Sequence, residues 1–299
     1  MTSRSLFSAA RAASLILVLA AAVSLPASAP AFAQASTATA PAPERKALRV
    51  CQDPSNMPFS NTAKQGIENR FADVFGKALG LPVTYYEFPA RMNFIRNTLR
   101  FKLPGEDYPC DIVMGVPVGF DQVSVTKPVY RSTYALVFPA GKGLDAVKTG
   151  ADFLALPAEQ RKKLRIGVID KSPASVWLAK HGLVEQGVPF MMMNADPAQY
   201  PGEVVEKDLA AGKIDAAIMW GPIAGYFARR ITSPAMTVVP LQSEPGVRFD
   251  FEMAMGVRYG EREWKEQIEK LIETHRNDLH AVLRDFGVPL VGEGGAPLR

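Results

Sequence analysis

The chain has 299 residues, of which 47% are hydrophobic and 21% charged, and its formal net charge is +4. So mild an excess of positive charge does not favour nucleic-acid binding. The length suits two lobes better than a single hydrophobic core. Beyond the N-terminal segment, the sequence has no apolar run long enough to cross a bilayer.

The N-terminus has the pattern of a secretory signal. Arg4 and Arg11 supply positive charge before an apolar run from Ala12 to Leu25. The run leads to the small-x-small sequence Ala31-Phe32-Ala33, which is typical of a cleavage site. We therefore expect residues 1–33 to direct export to the periplasm, with an uncleaved anchor as the alternative. Because no cysteine lies near the cleavage point, we expect no lipid anchor.

After the signal, the sequence predicts a leader and then a βαβαβ series. Residues 34–45 are rich in Ala, Pro, Ser and Thr, a composition typical of disorder. The elements expected next are a strand at 48–51, a helix at 68–79 capped by Gly80, a strand at 83–88, a helix at 91–101 and a strand at 111–114. This alternation indicates a parallel sheet with helices on both faces.

A second α/β series predicts another lobe. Its expected elements are a helix and turn at 151–164, a strand at 165–170, a helix at 172–183, a strand at 189–193, a helix at 203–211, a strand at 215–220, a helix at 222–231 and a strand at 236–241. A strand at 251–258 and helices over 262–283 would return to the first lobe. With a two-strand hinge near 138–141 and 246–252, lobe 1 would comprise 46–138 and 250–299, and lobe 2 would comprise 139–249.

The chain has two cysteines, Cys51 and Cys110. An even number in an exported protein favours a disulfide between them. The alternative is two buried free thiols. It stays open because one cysteine ends a strand and the other precedes one, and in a parallel pair these ends need not lie within bonding distance.

Few residues indicate catalysis or metal binding. The three histidines, His181, His275 and His280, do not have the spacing of a metal motif. The run Met191-Met-Met193 is interpreted as core filling, since consecutive strand residues face opposite ways and cannot converge on one ion. The glycines of 115–119 lack the spacing of a dinucleotide or phosphate loop. We therefore expect no catalytic residue, no metal and no cofactor.

Polar residues follow the first predicted strand. Asp53, Asn56, Phe59, Ser60 and Asn61 lie where the loops of an open α/β sheet line a ligand crevice, at the carboxyl ends of the strands. The alternative is a turn that only ends the strand.

Three arginines could offer charge to an anion or an acidic partner. They are Arg91, Arg96 and Arg131. Arg131 is the best placed, because it lies in the loop before the strand that crosses between lobes.

Five sequence segments together carry a resemblance to a known family. They are Val50–Asn61, Gly66–Asn69, Arg96–Leu99, Cys110–Asp121 and Tyr130–Tyr134. On these, the chain resembles family 3 of the extracellular solute-binding proteins, and more narrowly its quinoprotein-dehydrogenase-associated branch, MoxJ and XoxJ. The resemblance implies a two-lobed, type II periplasmic-binding-protein fold of two α/β lobes. It also implies association with a pyrroloquinoline-quinone (PQQ)-dependent methanol or alcohol dehydrogenase.

The positions that hold an amino acid in relatives of this family are changed. The place of the arginine that clamps the α-carboxylate falls at Gly119, and the place of the aspartate that binds the ammonium falls at Trp220. Asp170-Lys-Ser-Pro173 replaces the usual small-residue nest. A buried zwitterion would lack both countercharges, so the resemblance argues against an amino-acid carrier.

The resemblance therefore implies a non-enzymatic periplasmic accessory protein that helps assemble or activate the dehydrogenase, of the XoxF or the MxaF type, and the changed positions favour an apolar cleft between lobes as the place of binding. The alternative is the solute-binding component of an ABC transporter. A dehydratase on this fold is a weaker third reading, because we expect no poised histidine or paired carboxylates in the crevice. The residues expected in the cleft or at the partner are Asp53, Asn56, Phe59, Ser60, Asn61, Met114, Tyr130, Arg131, Lys171, Ser172, Trp220, Pro222 and Tyr226.

Overall fold

The computed structural model describes residues 45–90, 93–191, 200–296 and 298. The predicted signal, most of the predicted leader, Arg91 and Met192–Met193 lie outside the described residues. Among the residues described, no helix is both long and apolar enough to traverse a bilayer.

Strands and helices alternate through most of the described chain. The strands are β1 Leu48–Gln52, β2 Ser55–Asn56, β3 Ser60–Asn61, β4 Val83–Glu87, β5 Ile112–Pro117, β6 Ser124–Val125, β7 Tyr130–Pro139, β8 Ile166–Ile169, β9 Gly187–Phe190, β10 Ala216–Trp220, β11 Met236–Pro240 and β12 Asp250–Val257. The helices are α1 Ile67–Leu79, α2 Phe94–Asn97, α3 Gly150–Ala155, α4 Ala158–Arg161, α5 Pro173–Lys180, α6 Gly221–Arg230, α7 Arg262–Thr274 and α8 Arg276–Asp285. A π-helical segment spans Val204–Leu209, and short 3-10 turns span Val184–Gln186 and Glu293–Gly295.

Most of the strands share one continuous path of pairing in the order β4-β1-β5-β12-β7-β10-β8-β9. In the first group, β1 is parallel to β4 and to β5, as the βαβαβ pattern predicts. In the second group, β8 is parallel to β9 and to β10. Strand β12 comes after the second group in the chain but pairs antiparallel with β5 and with β7. The chain therefore returns to the first group and completes it.

Strand β7 joins the two groups. Residues Tyr130–Thr133 pair with β12, whereas Tyr134–Val137 pair with β10. The sequence pattern predicts a strand only over 134–139, which is the second part of β7. The change of partner falls between Thr133 and Tyr134, within a single uninterrupted strand. The predicted lobe boundaries, at 138/139 and 249/250, stay a prediction.

One predicted helix is wrong in extent, and a predicted helix and turn contains two short helices. The helix expected at 91–101 is described only as the single turn α2, because the backbone leaves helical geometry at Thr98 (φ −125°, ψ −89°). The Thr98 hydroxyl donates to the Phe94 carbonyl at 2.7 Å, a back-bond that competes with helix propagation. The helix and turn expected at 151–164 are two short helices, α3 and α4, separated at Pro157, whose ring disfavours helical geometry at Leu156 (ψ 148°).

The interpretation of the methionine run as core filling is wrong for the residue that the structure describes. Strand β9 ends at Phe190, and Met191 beyond it is 69% exposed. Once the strand ends, the alternation that would bury this side chain no longer applies.

A buried carboxylate ties together the elements around β1 and β5. Asp111 is fully buried and accepts two hydrogen bonds from Arg49, at 2.7 and 2.8 Å, and one from Arg258 at 2.5 Å. Arg45 adds an ion pair at 2.9 Å. Burial alone would raise the pKa of Asp111, but the hydrogen bonds from Arg49 and Arg258 and the positive charge hold it below its ordinary value. The buried negative charge of Asp111 is tolerated because three arginines pair with its carboxylate.

The predicted disulfide is confirmed. Cys51 and Cys110 are bonded, with their Cα atoms 5.2 Å apart, and both are buried. Adjacent pairing of β1 with β5 brings the two ends within bonding distance, which resolves the alternative of two free thiols. The Cys110 carbonyl also accepts from Arg258 at 2.5 Å, so the disulfide and the Asp111 cluster hold the same region.

Reduction of this disulfide is expected to lower the free energy of unfolding by about 4 kcal/mol, because it releases a loop whose ends are 59 residues apart. The measurement is urea unfolding with and without reductant. A Cys51→Ala/Cys110→Ala double variant is the control, since reductant should not move its midpoint. An unchanged midpoint in the wild type would show that the crosslink contributes nothing to stability.

Candidate functional site

The polar loop after β1 is held by its own hydrogen bonds. The Asp53 carboxylate accepts from the Ser55 backbone N–H at 2.7 Å and from the Ala90 backbone N–H at 2.5 Å. The Ser60 hydroxyl donates to the Asp53 carbonyl at 2.8 Å. Strands β2 and β3 form a small hairpin here, which pairs Ser55 with Asn61 and Asn56 with Ser60. The segment is therefore a fixed structure, and more than a turn that ends β1.

The hairpin separates two cavities. Because successive strand residues face opposite ways, one cross-strand pair points to each side. Asn56 and Ser60 line one cavity, while Ser55 and Asn61 line the other. The contiguous polar motif of the sequence thus supplies two distinct sites rather than one crevice.

The first cavity, which we call the β1–β5 cavity, lies beside the carboxyl end of β1 and the strand β5 and has a volume of about 380 Å³. It combines acidic, amide and apolar side chains. Its lining residues are Asp53, Asn56, Ser60, Glu68, Ala90, Asn93, Phe94, Ile95, Val113, Gly115, Val116, Pro117, Phe120 and Gln122.

Glu68 is the unusual group in this cavity, and sequence reasoning missed it. It lies in the first turn of α1, and a methyl group on Gly115 of β5 would collide with its Oε1 atom. Among the described residues, none makes a hydrogen bond or ion pair with its carboxyl group. Burial, assisted by the nearby charge of Asp53, raises its pKa to about 8. The Glu68 carboxyl is therefore mostly protonated at neutral pH.

The presence of Glu68 corrects one expectation from the sequence. The dehydratase reading was ranked low partly because paired carboxylates were not expected in the crevice, yet Asp53 and Glu68 both line the β1–β5 cavity. The only sequence signal for Glu68 is its place in the Gly66–Asn69 segment. There it resembles an ordinary acidic residue at a helix N-terminus.

The second cavity, which we call the α6 groove, has a volume of about 300 Å³ and lies between the β2–β3 hairpin and helix α6. Its lining residues are Pro54, Ser55, Met57, Asn61, Tyr200, Glu206, Tyr226, Phe227 and Arg230. Of these, only Asn61 and Tyr226 were predicted as site residues.

Stacked aromatic rings build the wall of the α6 groove. Tyr200 stacks on Phe227 with ring centroids 5.4 Å apart, and Tyr226 stacks on Phe286 at 5.6 Å. The Arg230 guanidinium lies 5.4 Å from the Tyr226 ring. The Tyr200 hydroxyl donates to the Glu206 carboxylate. The result is an apolar surface with one basic and one acidic group beside it.

Three predicted cleft residues lie against or within the hydrophobic core instead. Met114 is only 2% exposed, and Tyr130 is buried beside it in the core packed under α1. Burial, with a smaller contribution from the charge of Glu68, raises the pKa of Tyr130. Phe59 is half-buried and packs on the same core. Because side chains alternate between the two faces of a strand, β5 and β7 direct Met114 and Tyr130 into the core.

Arg131 has two carboxylate partners within the chain. It pairs with Asp250 at 2.6 Å and with Glu252 at 3.0 Å across the β7–β12 pairing. Hydrogen bonding to Asp250 raises the pKa of the guanidinium. Burial alone would raise the pKa of the Asp250 carboxyl, but the hydrogen bonds from Ser243 and Arg131 and the charge of Arg131 together lower it. Arg131 therefore stabilises the strand crossing and is not an open anion site.

Trp220 lies at the carboxyl end of β10, as predicted, but its ring is partly covered by its own chain. It makes edge contacts with Tyr134 at 5.6 Å and with Phe251 at 5.9 Å. Pro222, two residues on, is buried in the first turn of α6. Neither residue lines the two cavities above, and the role of Trp220 as a partner anchor stays a prediction.

Lys171 and Ser172 lie together at the start of α5, away from both cavities. Lys171 is exposed with φ 57°, and Ser172 is the buried N-cap residue of α5. Within the described residues, the Ser172 hydroxyl has no hydrogen-bond partner. A binding role for these two residues stays a prediction.

The raised pKa of Glu68 has a consequence for stability. Its carboxyl is protonated in the folded state up to about pH 8 but ionises near 4.5 once unfolded. Between these values only the folded state holds the proton, so its contribution is fully present below pH 4.5 and is lost as pH rises to 8.

We therefore expect unfolding free energies from urea titrations at pH 5, 6, 7 and 8 to fall with pH, by up to several kcal/mol, more steeply in the wild type than in Glu68→Gln. Glu263→Gln, at an exposed position on α7, should keep the wild-type slope. Parallel curves for the wild type and Glu68→Gln would contradict the raised pKa.

Comparison with known proteins places this architecture in a family, although no family model matches the chain. The protein MoxJ of Methylorubrum extorquens is 30% identical over 260 residues, which cover 82% of this chain and 81% of MoxJ. The crystal structure of the periplasmic binding protein XoxJ from Methylobacterium extorquens is 35% identical, with a TM-score of 0.65, and covers 82% of this chain and 100% of XoxJ. MxaJ from Methlophaga aminisulfidivorans is 25% identical with a TM-score of 0.67, again over 82% and 100%.

These similarities confirm the two-lobed, type II periplasmic-binding-protein fold that the sequence predicts. They extend over both groups of strands and the helices that cover them, since all of XoxJ and MxaJ is matched. The chain therefore belongs to the MoxJ/XoxJ family of periplasmic binding proteins.

Proposed function

We propose that the protein is a non-enzymatic accessory protein, exported to the periplasm, that binds a PQQ-dependent methanol or alcohol dehydrogenase and assists its assembly or activation. Membership of the MoxJ/XoxJ family supports the choice of partner, because that branch accompanies quinoprotein dehydrogenases. The observation that carries the mode of binding is the α6 groove, whose wall is a set of packed aromatic rings.

The groove suits a protein segment with one large apolar side chain. Its volume of about 300 Å³ accepts an aromatic or branched aliphatic side chain, which would contact the half-buried Tyr226 beside the buried Phe227. Arg230 and Glu206, at the same groove, offer a donor and an acceptor to the backbone of the bound segment. Binding surfaces of this kind concentrate their energy in a few buried aromatic contacts with a polar rim.

Closure of the two lobes would complete the capture. In this proposal the chain bends where β7 changes partners and in the segment that connects β11 to β12, between residues 241 and 249. Few residues need to change backbone angles in such a hinge. The Arg131–Asp250 pair lies at this crossing and would hold both connecting strands in register during the motion.

The function is tested by measuring binding to purified methanol dehydrogenase, of the calcium and of the lanthanide type, by surface plasmon resonance. We expect Tyr226→Ala to weaken binding by about 2 kcal/mol, which is about 30-fold in Kd, because it removes an aromatic wall of the groove. The matched control is Tyr259→Ala, at a tyrosine that is 62% exposed and outside the groove, which should bind as the wild type does.

Two outcomes would overturn this proposal. One is absence of binding to both dehydrogenase types by the wild type. The other is an equal effect of the two tyrosine substitutions. Thermal unfolding of each variant separates loss of binding from loss of fold, since Tyr226 also stacks on Phe286, the residue that follows α8.

The alternative function is delivery of a small organic solute to an ABC transporter, and the β1–β5 cavity favours it. Amino acids are the first class to test. We expect none of the twenty to raise the Tm at millimolar concentration, because Gly119 and Trp220 occupy the expected positions of the arginine and the aspartate. Differential scanning fluorimetry measures this, and a ligand at 100 times its Kd would stabilise by about 2.7 kcal/mol. An increase of several degrees in the Tm with any amino acid would favour amino-acid transport over the accessory function.

A further inference from the structure

We propose that the β1–β5 cavity is a binding site for a small organic ammonium ion, with the Glu68 carboxylate as its counter-ion. The inference goes beyond the proposed function, because it concerns this chain alone and a different cavity from the α6 groove. It is carried by the one acidic side chain of the cavity that the described protein leaves without a partner.

The charges around the cavity favour a cation. Glu68 and Asp53 are its acidic residues, and the described lining contains no lysine, arginine or histidine. Asp53 is already occupied by the backbone N–H groups of Ser55 and Ala90. Glu68 is not, so its carboxyl oxygens remain for a ligand. Glu68 is half-buried and desolvated, so its ionised form is stabilised by a partner of opposite charge, which a ligand cation supplies.

The other walls define the rest of the ligand. Phe94 and Phe120 offer aromatic rings, which attract cations through their faces. Ile95, Val113 and Val116 add apolar surface for a hydrocarbon substituent. Oxygen atoms of the Asn56 and Gln122 side chains could accept N–H bonds from the ammonium group. A volume of about 380 Å³ holds an ammonium ion with a single ring or short chain.

A bare metal ion fits less well. No group of three or more His, Cys, Asp or Glu side chains with metal-binding geometry occurs among the described residues. Hard cations such as Ca²⁺ take six to eight oxygen ligands, and one uncommitted carboxyl group with the three amide side chains of the lining does not supply them. The apolar walls also lack acceptors for the hydrogen bonds that the water molecules of a hydrated ion would donate.

Gly115 makes room for the carboxyl group. Its Cα faces Glu68 Oε1 so closely that any side chain at this position would collide with it. Gly115 lies inside β5, where a glycine weakens the strand and often marks a close approach. We interpret the glycine as the feature that lets Glu68 extend into the cavity.

Binding is coupled to a proton. Glu68 must ionise to pair with the cation, so a proton leaves the carboxyl and enters the solvent as the ligand binds. The titratable groups that face Glu68 are Asp53, from the loop after β1, and Tyr130, from β7. Burial keeps the Tyr130 hydroxyl neutral throughout the range used below, and the hydrogen bonds of Asp53 are to backbone donors that do not titrate.

The test is calorimetric titration of the full mature chain with benzylammonium at pH 6, 7 and 8. With a Glu68 pKa of about 8, the Kd should fall by roughly 50-fold from pH 6 to pH 8, since the ionised fraction rises by that factor. Heats in two buffers of different ionisation enthalpy should show release of nearly one proton at pH 6 and of about half a proton at pH 8. Benzyl alcohol and benzoate, which keep the ring without the positive charge, should bind at least 10-fold more weakly at pH 8.

Two variants locate the effect. Glu68→Gln, which keeps the size of the side chain, should weaken benzylammonium binding at least 10-fold at pH 8 and abolish its pH dependence. Gly115→Ala should weaken it too, because the added methyl displaces the carboxyl group. Glu263→Gln, outside the cavity, is the matched control and should bind as the wild type does.

The proposal is overturned if benzylammonium does not bind at millimolar concentration, if benzyl alcohol or benzoate binds as tightly, or if the Glu68→Gln variant binds as the wild type does. A pH-independent wild-type Kd would also overturn it. None of these results bears on the dehydrogenase, whose binding is measured separately and at the α6 groove. Failure of one proposal therefore leaves the other standing.

Discussion

The architecture depends on one strand that belongs to two groups. Over ten residues, β7 first pairs with β12 and then with β10, without a break between Thr133 and Tyr134. The register of either group is thus passed to the other through backbone hydrogen bonds. Arg131 and Asp250 add a charge pair across the crossing, and the Ser243 hydroxyl accepts from the Phe249 and Asp250 N–H groups beside it. The positions of the strands around each cavity therefore depend on the point where β7 passes from one group to the other.

A second constraint fixes the wall of the β1–β5 cavity. The disulfide and the Asp111 cluster act on the same pair of strands, β1 and β5. Three arginines surround one buried carboxylate, and one of them, Arg258, also holds the carbonyls of Leu99 and Cys110. Because these contacts fix β5 against β1, Gly115 is held where the Glu68 carboxyl can extend past it. The stability of this region and the shape of the site have a common cause.

The sequence predicted regular elements better than the positions of side chains. Alternation and helical spacing located the strands of both groups, the helix capped by Gly80 and the disulfide, because these depend on local patterns and on cysteine pairing. Glu68 could not be predicted as a site residue, since its importance comes from Gly115, 47 positions away, and from burial that no local pattern reports. Met114 and Tyr130 were expected in the cleft because they flank it in sequence, but strand alternation turns them into the core.

The β2–β3 hairpin relates the two proposed activities. Its four residues are shared equally, with Asn56 and Ser60 in the β1–β5 cavity and Ser55 and Asn61 in the α6 groove. A displacement of the hairpin that widens one cavity must therefore move the wall of the other. The hairpin is tied to β1 through Asp53, whose carboxylate also holds the Ala90 N–H. A ligand that pulls on the polar side chains of one face would change the shape that the aromatic groove presents to a partner, which is a physical route for coupling between sites on a single chain.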